Sequence, residues 1–275
     1  MSTKRKPWKK NLYENLGYPD NYTDISFLEE LKKNLNIREV TFKEAFLGAS
    51  LVTQQLCLVV FFSLNFFYMY NEWISSEISF FYNFTALIFC YLWYNSVEVT
   101  SKIRLIKGFI CFLLLGYLLS PVLKTLTESI STDTIYAMTV FMMCVHLIFY
   151  DYGVKVTIVS SSLSFNAAVF GSLCLASRLK SPFDAFVLLA SAVLHFLLFP
   201  LILTKIGDSI LIVIILVAFS ISGLYYVSVT ITILYIATII FLNLICPILF
   251  VRWYAYKDNI YGPWDEATIV QGIKI

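Results

Sequence analysis

The hydrophobic pattern divides the chain into a polar beginning and a long apolar remainder. Residues 1–45 scatter apolar positions among many charges, whereas from Phe46 onward apolar runs recur, separated by short polar breaks. A helix needs about 20 apolar residues to cross the ~30 Å hydrocarbon core of a bilayer. Eight runs approach or meet that length: 46–70, 78–98, 105–123, 134–150, 154–176, 183–204, 208–227 and 229–251. The pattern predicts an all-α integral membrane protein with about eight transmembrane helices, a polar arm over 1–45 and a tail over 252–275. Within the arm, Ser26 and Glu29 fit a capping box, and Phe27, Leu28, Leu31 and Leu35 share one helical face. That predicts a short amphipathic helix suited to a membrane surface or to a partner.

Composition strengthens this reading. With 59% hydrophobic and 14% charged residues, a 275-residue chain carries more apolar surface than one aqueous core hides. Charge adds an orientation. Eight spans starting from a cytosolic arm put the nine Lys and Arg of the arm on the cytosolic side, together with Lys102, Arg104, Lys107, Lys155, Lys205, Arg252, Lys257 and Lys274. Only Lys124, Arg178 and Lys180 fall on the other side. This positive-inside bias predicts that both termini are cytosolic. The basic start, Met1 to Lys10, leads into polar sequence rather than a short apolar core, so insertion is expected to rely on the first span.

Candidate chemistry is sparse. The six cysteines all fall inside apolar runs without metal spacing, and no Cys/His cluster, acidic metal cluster, phosphate loop or nucleophile elbow is present in the sequence. No catalytic residue, metal or cofactor is therefore expected. His146 and His195 sit in different spans without a carboxylate one turn away, and read as packing or interhelical hydrogen-bonding residues. In the fifth span Thr157, Ser161, Ser164, Ala168, Gly171 and Ser172 form a small-residue stripe that lets another helix approach. Asn166 points to the opposite face, and Gln54 and Gln55 invite the same helix-bonding reading; a polar lining for a headgroup or ion path is the functional alternative. Three surface segments carry the remaining candidates. These are the 120–134 connector with Lys124, Glu128 and Asp133, where Ser131 or Thr132 is placed to cap the next helix, the turn with Asp151 and Tyr152, and the tail with Trp264 and Asp265.

These segments carry a resemblance. The arm from Tyr18 to Asn34 (YPDNYTDISFLEELKKN), the run 120–138 (SPVLKTLTESISTDTIYAM), His146 to Gly153 (HLIFYDYG), IVSSSLS at 158–164, CLASRL at 174–179 and GPWDEA at 262–267 occur in order along most of the chain. Together they resemble the family formed by the C subunit of phosphatidylinositol N-acetylglucosaminyltransferase; the stretch 71–104 resembles it least. The resemblance implies a component of an endoplasmic reticulum membrane complex that transfers N-acetylglucosamine from UDP-N-acetylglucosamine to phosphatidylinositol, the first step of glycosylphosphatidylinositol (GPI) anchor synthesis. It also implies that the sugar-nucleotide site belongs to another, cytosol-facing subunit, which leaves this chain a scaffold that helps present the lipid. Lys102, Arg104 and Lys107 are then candidate contacts to the phosphatidylinositol headgroup. Nucleic acid is not an expected partner. The alternative function is a lipid or small-solute transporter.

Overall fold

The computed structural model describes residues 22, 32–33, 40–93, 114–122, 125, 129–153, 160–206, 209–254, 256–257 and 260–261. Their order is β1 (Lys32–Lys33), α1 (Phe42–Tyr70), α2 (Ser76–Trp93), a helical stretch over 114–122, α3 (Thr132–Phe149), α4 (Ser161–Ala176) and α5 (Pro182–Val193). A π-helical turn (Leu194–Leu198) then leads into α6 (Phe199–Ile206), followed by α7 (Ile210–Val227) and α8 (Val229–Ile240). A second π turn (Phe241–Ile245), α9 (Cys246–Tyr254) and β2 (Ile260–Tyr261) complete the order. The chain forms two compact units, one from residues 1–41 with 250–275 and one from 42–249.

Among the described residues, five helical segments are long and apolar enough to cross a membrane: Phe42–Tyr70, Thr132–Phe149, Pro182–Thr204, Ile210–Val227 and Val229–Tyr254. The protein is an all-α, multi-pass membrane protein. The first helix starts at Phe42, four residues ahead of the predicted run. Lys43 and Glu44 interrupt an apolar count but not a helix, and Glu44 in the first turn complements the positive helix end.

The arm requires a correction. Lys32 and Lys33, inside the predicted amphipathic helix, are extended and pair antiparallel with Tyr261 and Ile260. A ladder to residues more than 200 positions away competes with the local helical period, and sequence periodicity does not see it. The rest of that predicted helix lies outside the described residues.

In the unit spanning 42–249, α5 is the centre. Every residue from Ala185 to Val193 is buried, as expected of a helix that is apolar all round, and α5 packs against α1, α2 and α4. Phe62 and Phe66 of α1 meet Phe186, Leu188 and Phe196 in the main core cluster. Its start is set locally: Ser181 and Asp184 form a reciprocal capping box, with Pro182 in the first turn. On α7 and α8, by contrast, Leu211, Phe219, Ile233 and Leu234 remain exposed in this chain, a surface suited to lipid or to neighbouring helices.

Both π turns end two residues before a proline, Pro200 and Pro247. Proline has no N–H to donate and its ring clashes with the carbonyl four residues earlier, so widening the preceding turn relieves both conflicts. The widened turns carry His195 and Asn243. Asn243 donates from Nδ2 to Thr53 Oγ1 at 2.7 Å, tying this helix to α1.

Candidate functional site

The polar groups gather at two ends and in one layer between them. At one end, Lys180 pairs with Glu72, Ser76 donates a hydrogen bond to Asp184, and Arg178 Nη2 donates to Ile130 O at 2.9 Å. These contacts bring together Glu72 and Ser76 around the start of α2, Ile130 before α3, Arg178 and Lys180 between α4 and α5, and Asp184 in the first turn of α5. The hydrogen bond to Glu72, reinforced by its charge, raises the Lys180 pKa above its ordinary value. Asp133 is exposed in the first turn of α3, whose N-cap is Ser131, accepting from Thr134 N at 3.3 Å.

The opposite end holds a cleft of about 300 Å³ built from three elements. Helix α1 supplies Gln54 and Gln55, the turn after α3 supplies Asp151 and Tyr152, and α6 supplies Pro200 and Thr204. Asp151 is exposed and shapes the turn, since Oδ1 accepts from Gly153 N at 2.9 Å while Gly153 sits at φ +79°. Tyr152 donates its hydroxyl to Leu147 O at 2.7 Å, so its ring forms wall rather than a free donor. Burial, with Tyr150 adding to it, pushes the Tyr152 phenol well above its ordinary pKa and keeps it neutral. Gln55 is only 4% exposed, and among the described residues its Oε1 has no hydrogen-bond partner. A buried acceptor without a donor is rare and costs roughly 1–3 kcal/mol.

The conformation of Gly153 yields a test. A Cβ there would meet nothing within 4 Å, so alanine costs only the left-handed backbone. Gly153→Ala is expected to lower stability by about 1 kcal/mol, read as a reduced melting temperature in detergent. An unchanged melting temperature would show that the turn does not hold this conformation in solution.

Between the two ends lies an apolar groove of about 830 Å³, walled by Leu58, Phe61 and Tyr68 of α1, Phe219 and Tyr226 of α7, and His195. Leu203 lines both the groove and the cleft. Three of the groove's polar residues, Ser79, Asn65 and His195, are linked through Ser191. Ser79 Oγ donates to Asn65 Oδ1 at 2.9 Å, and Asn65 Nδ2 donates to Ser191 Oγ at 2.9 Å. His195 Nδ1 lies 2.8 Å from Ser191 O, and because a carbonyl only accepts, that nitrogen carries the proton.

The helix-packing candidates meet at the contact between α3 and α4. Ser164 is buried, with Oγ donating to His146 O at 2.9 Å, and His146 Nδ1 lies 3.1 Å from Ser164 O. Gly171 faces Met142, Met143 and Thr139 of α3. Ser161 lies in the first turn of α4, and Asn166 is exposed. Among the described residues the groups do not converge into a catalytic constellation: His146 and His195 bond within the helix bundle, and Asp133 in the first turn of α3 and Asp151 just beyond its end lie at opposite ends of that helix. Lys102, Arg104, Lys107, Lys124, Glu128, Thr157, Trp264 and Asp265 lie outside the described residues. The feature that sequence reasoning missed is the cleft. Gln54 and Gln55 read as helix glue, and the available signal was two adjacent amides near one end of an apolar run together with Pro200 near the end of another.

A family model for GPI2, described as phosphatidylinositol N-acetylglucosaminyltransferase, matches residues 8–265. The chain belongs to the GPI2 family. Among curated GPI2 relatives, the C subunit of phosphatidylinositol N-acetylglucosaminyltransferase from Bos taurus is 39% identical over 285 residues, covering 99% of this chain and 96% of that protein. The corresponding Homo sapiens protein is 38% identical over 285 residues, with the same coverage. The GPI2 subunit from Schizosaccharomyces pombe is 32% identical over 282 residues, covering 96% of this chain and 87% of that protein. No solved structure matches the chain.

Proposed function

We propose that the chain is a non-catalytic membrane subunit of the complex that transfers N-acetylglucosamine from UDP-N-acetylglucosamine to phosphatidylinositol, the first step of GPI-anchor synthesis. The observation that carries this reading is the 38–39% identity, over nearly the full length of both proteins, to chains named as the C subunit of that transferase. The proposed setting is the endoplasmic reticulum membrane, with eight spans and both termini in the cytosol, as the distribution of basic residues favours. The sugar nucleotide is assigned to a separate, cytosol-facing glycosyltransferase subunit. This chain supplies close-packing helix faces to the assembly, and it presents phosphatidylinositol, with Lys102, Arg104 and Lys107 at headgroup level.

Purifying the tagged full chain in mild detergent and assaying transfer tests this. The expected result is co-purification with other subunits, transfer by the assembly and none by the chain stripped of them. Recovery as a solitary polypeptide that performs the transfer would overturn the proposal.

A further inference from the structure

We infer that the cleft beside Gln55 and the apolar groove below it form one phospholipid site, the cleft holding a polyhydroxylated ring headgroup and the groove an acyl chain. The inference rests on the lipid-presenting role proposed above and gives that role a location.

Three observations carry it. The first is Gln55: the residue lines the cleft, and among the described residues its buried Oε1 has no hydrogen-bond partner and so lacks a donor. The second is the chemistry around it. The cleft's described polar side chains are two amides, a carboxylate, the phenols of Tyr150 and Tyr152 and the Thr204 hydroxyl, and none is a cation. Ring hydroxyls satisfy such a set, because each donates to a carboxylate or amide oxygen and accepts from an amide N–H. A quaternary ammonium headgroup leaves the amides unused, and a second anionic carboxylate, as in a serine headgroup, opposes Asp151.

The third observation is continuity. Leu203 belongs to both cavities, and Gln54 and Gln55 sit one turn from Leu58, where the groove begins on α1. From Gln55 to Tyr68 the helix rises about 20 Å at ~1.5 Å per residue, against a hydrocarbon core of ~30 Å. A chain descending from the cleft therefore stays in the groove through more than half the bilayer. It meets an apolar wall, since Ser79, Asn65, Ser191 and His195 bond among themselves.

The test uses the purified full chain in nanodiscs containing equal phosphatidylinositol, phosphatidylserine, phosphatidylethanolamine and phosphatidylcholine, with retained lipid measured by native mass spectrometry. Wild type is expected to retain phosphatidylinositol about tenfold over the others. Gln55→Leu removes the orphaned acceptor, so it is expected to abolish that preference without lowering the melting temperature. Leu203→Trp, which plugs the junction with Gln55 in place, is expected to reduce retention of every lipid. In the assembled transferase, Gln55→Leu is expected to raise KM for phosphatidylinositol about tenfold, leaving KM for UDP-N-acetylglucosamine unchanged. Equal retention of the four lipids by wild type, or preference for phosphatidylethanolamine, would overturn the site. So would a Gln55→Leu chain that melts lower yet keeps its preference, since Gln55 would then serve helix packing. The nanodisc arm needs no other polypeptide, so selective binding by a chain that also performs the transfer alone would overturn the reading as a non-catalytic subunit and leave the site standing.

Discussion

Gly171→Leu is expected to leave little monodisperse protein to purify, whereas Gly171→Ala lowers the melting temperature by only a few degrees. A Cβ at Gly171 lies 3.1 Å from Met143 Cε, 3.4 Å from Met142 Cβ and 3.7 Å from Thr139 O. The Met143 methyl is the far end of a flexible side chain and moves aside. Met142 Cβ is fixed to the α3 backbone and does not. Alanine is thus expected to cost about 1 kcal/mol, or roughly 2–4 °C for a chain of this size. Leucine adds three further carbons where the contact is already backbone-limited, and with no gap to enter it has to drive α4 off α3. The cost is then about 3 kcal/mol or more. Separation also breaks the His146–Ser164 contacts and the 3.4 Å bond from Thr139 Oγ1 to Gly171 O, because all lie in the same seam. Size-exclusion profiles and melting curves in one detergent read the series. A leucine variant that melts with wild type would show that the two helices do not pack this closely.

Gly171 also marks what was legible in the sequence. Small residues recurring at helical spacing in the fifth run identify a face built for close approach, because that property depends only on the residues of one helix. One starting point is legible for the same reason: Ser131 caps the helix that follows with a local side-chain bond, and Ser160 and Ser181 do the same for theirs although the sequence reading does not single them out. The partner of a face is not local. Periodicity says that Gln55 sits one turn before Leu58, but not that Asp151, Tyr152 and Thr204 close around it from two other segments. The pairing of Lys32–Lys33 with Ile260–Tyr261 escapes for the same reason, and at those two residues the local helical period does not hold. The π turns are intermediate cases. Pro200 and Pro247 are visible inside apolar runs, yet a proline there signals only that the helix must kink, break or widen, and the surrounding packing selects among these.

Asn65→Leu is expected to lower stability by about 1–3 kcal/mol without altering lipid selectivity. Asn65 joins three helices, accepting from Ser79 on α2 and donating to Ser191 on α5 from its own position on α1. Inside a bilayer no water replaces a lost partner, yet measured side-chain bonds between membrane helices average about 0.6 kcal/mol and reach about 1.7. Two such bonds set the range. Freed serine hydroxyls rotate to a carbonyl of their own helix, which holds the loss toward its lower end. A double-mutant cycle with Ser191→Ala isolates the direct term, expected at about 0.6–1.7 kcal/mol, because each single variant breaks the same contact. The two roles open to a polar residue in the groove give opposite outcomes. If Asn65 holds helices together, the melting temperature falls, the cycle is non-additive and retained phosphatidylinositol is unchanged. If instead it faces the occupant of the groove, retention changes while the cycle is additive. Both ends of the Asn65 amide are already engaged in the bonds running from Ser79 to His195, which places the expectation on the first outcome.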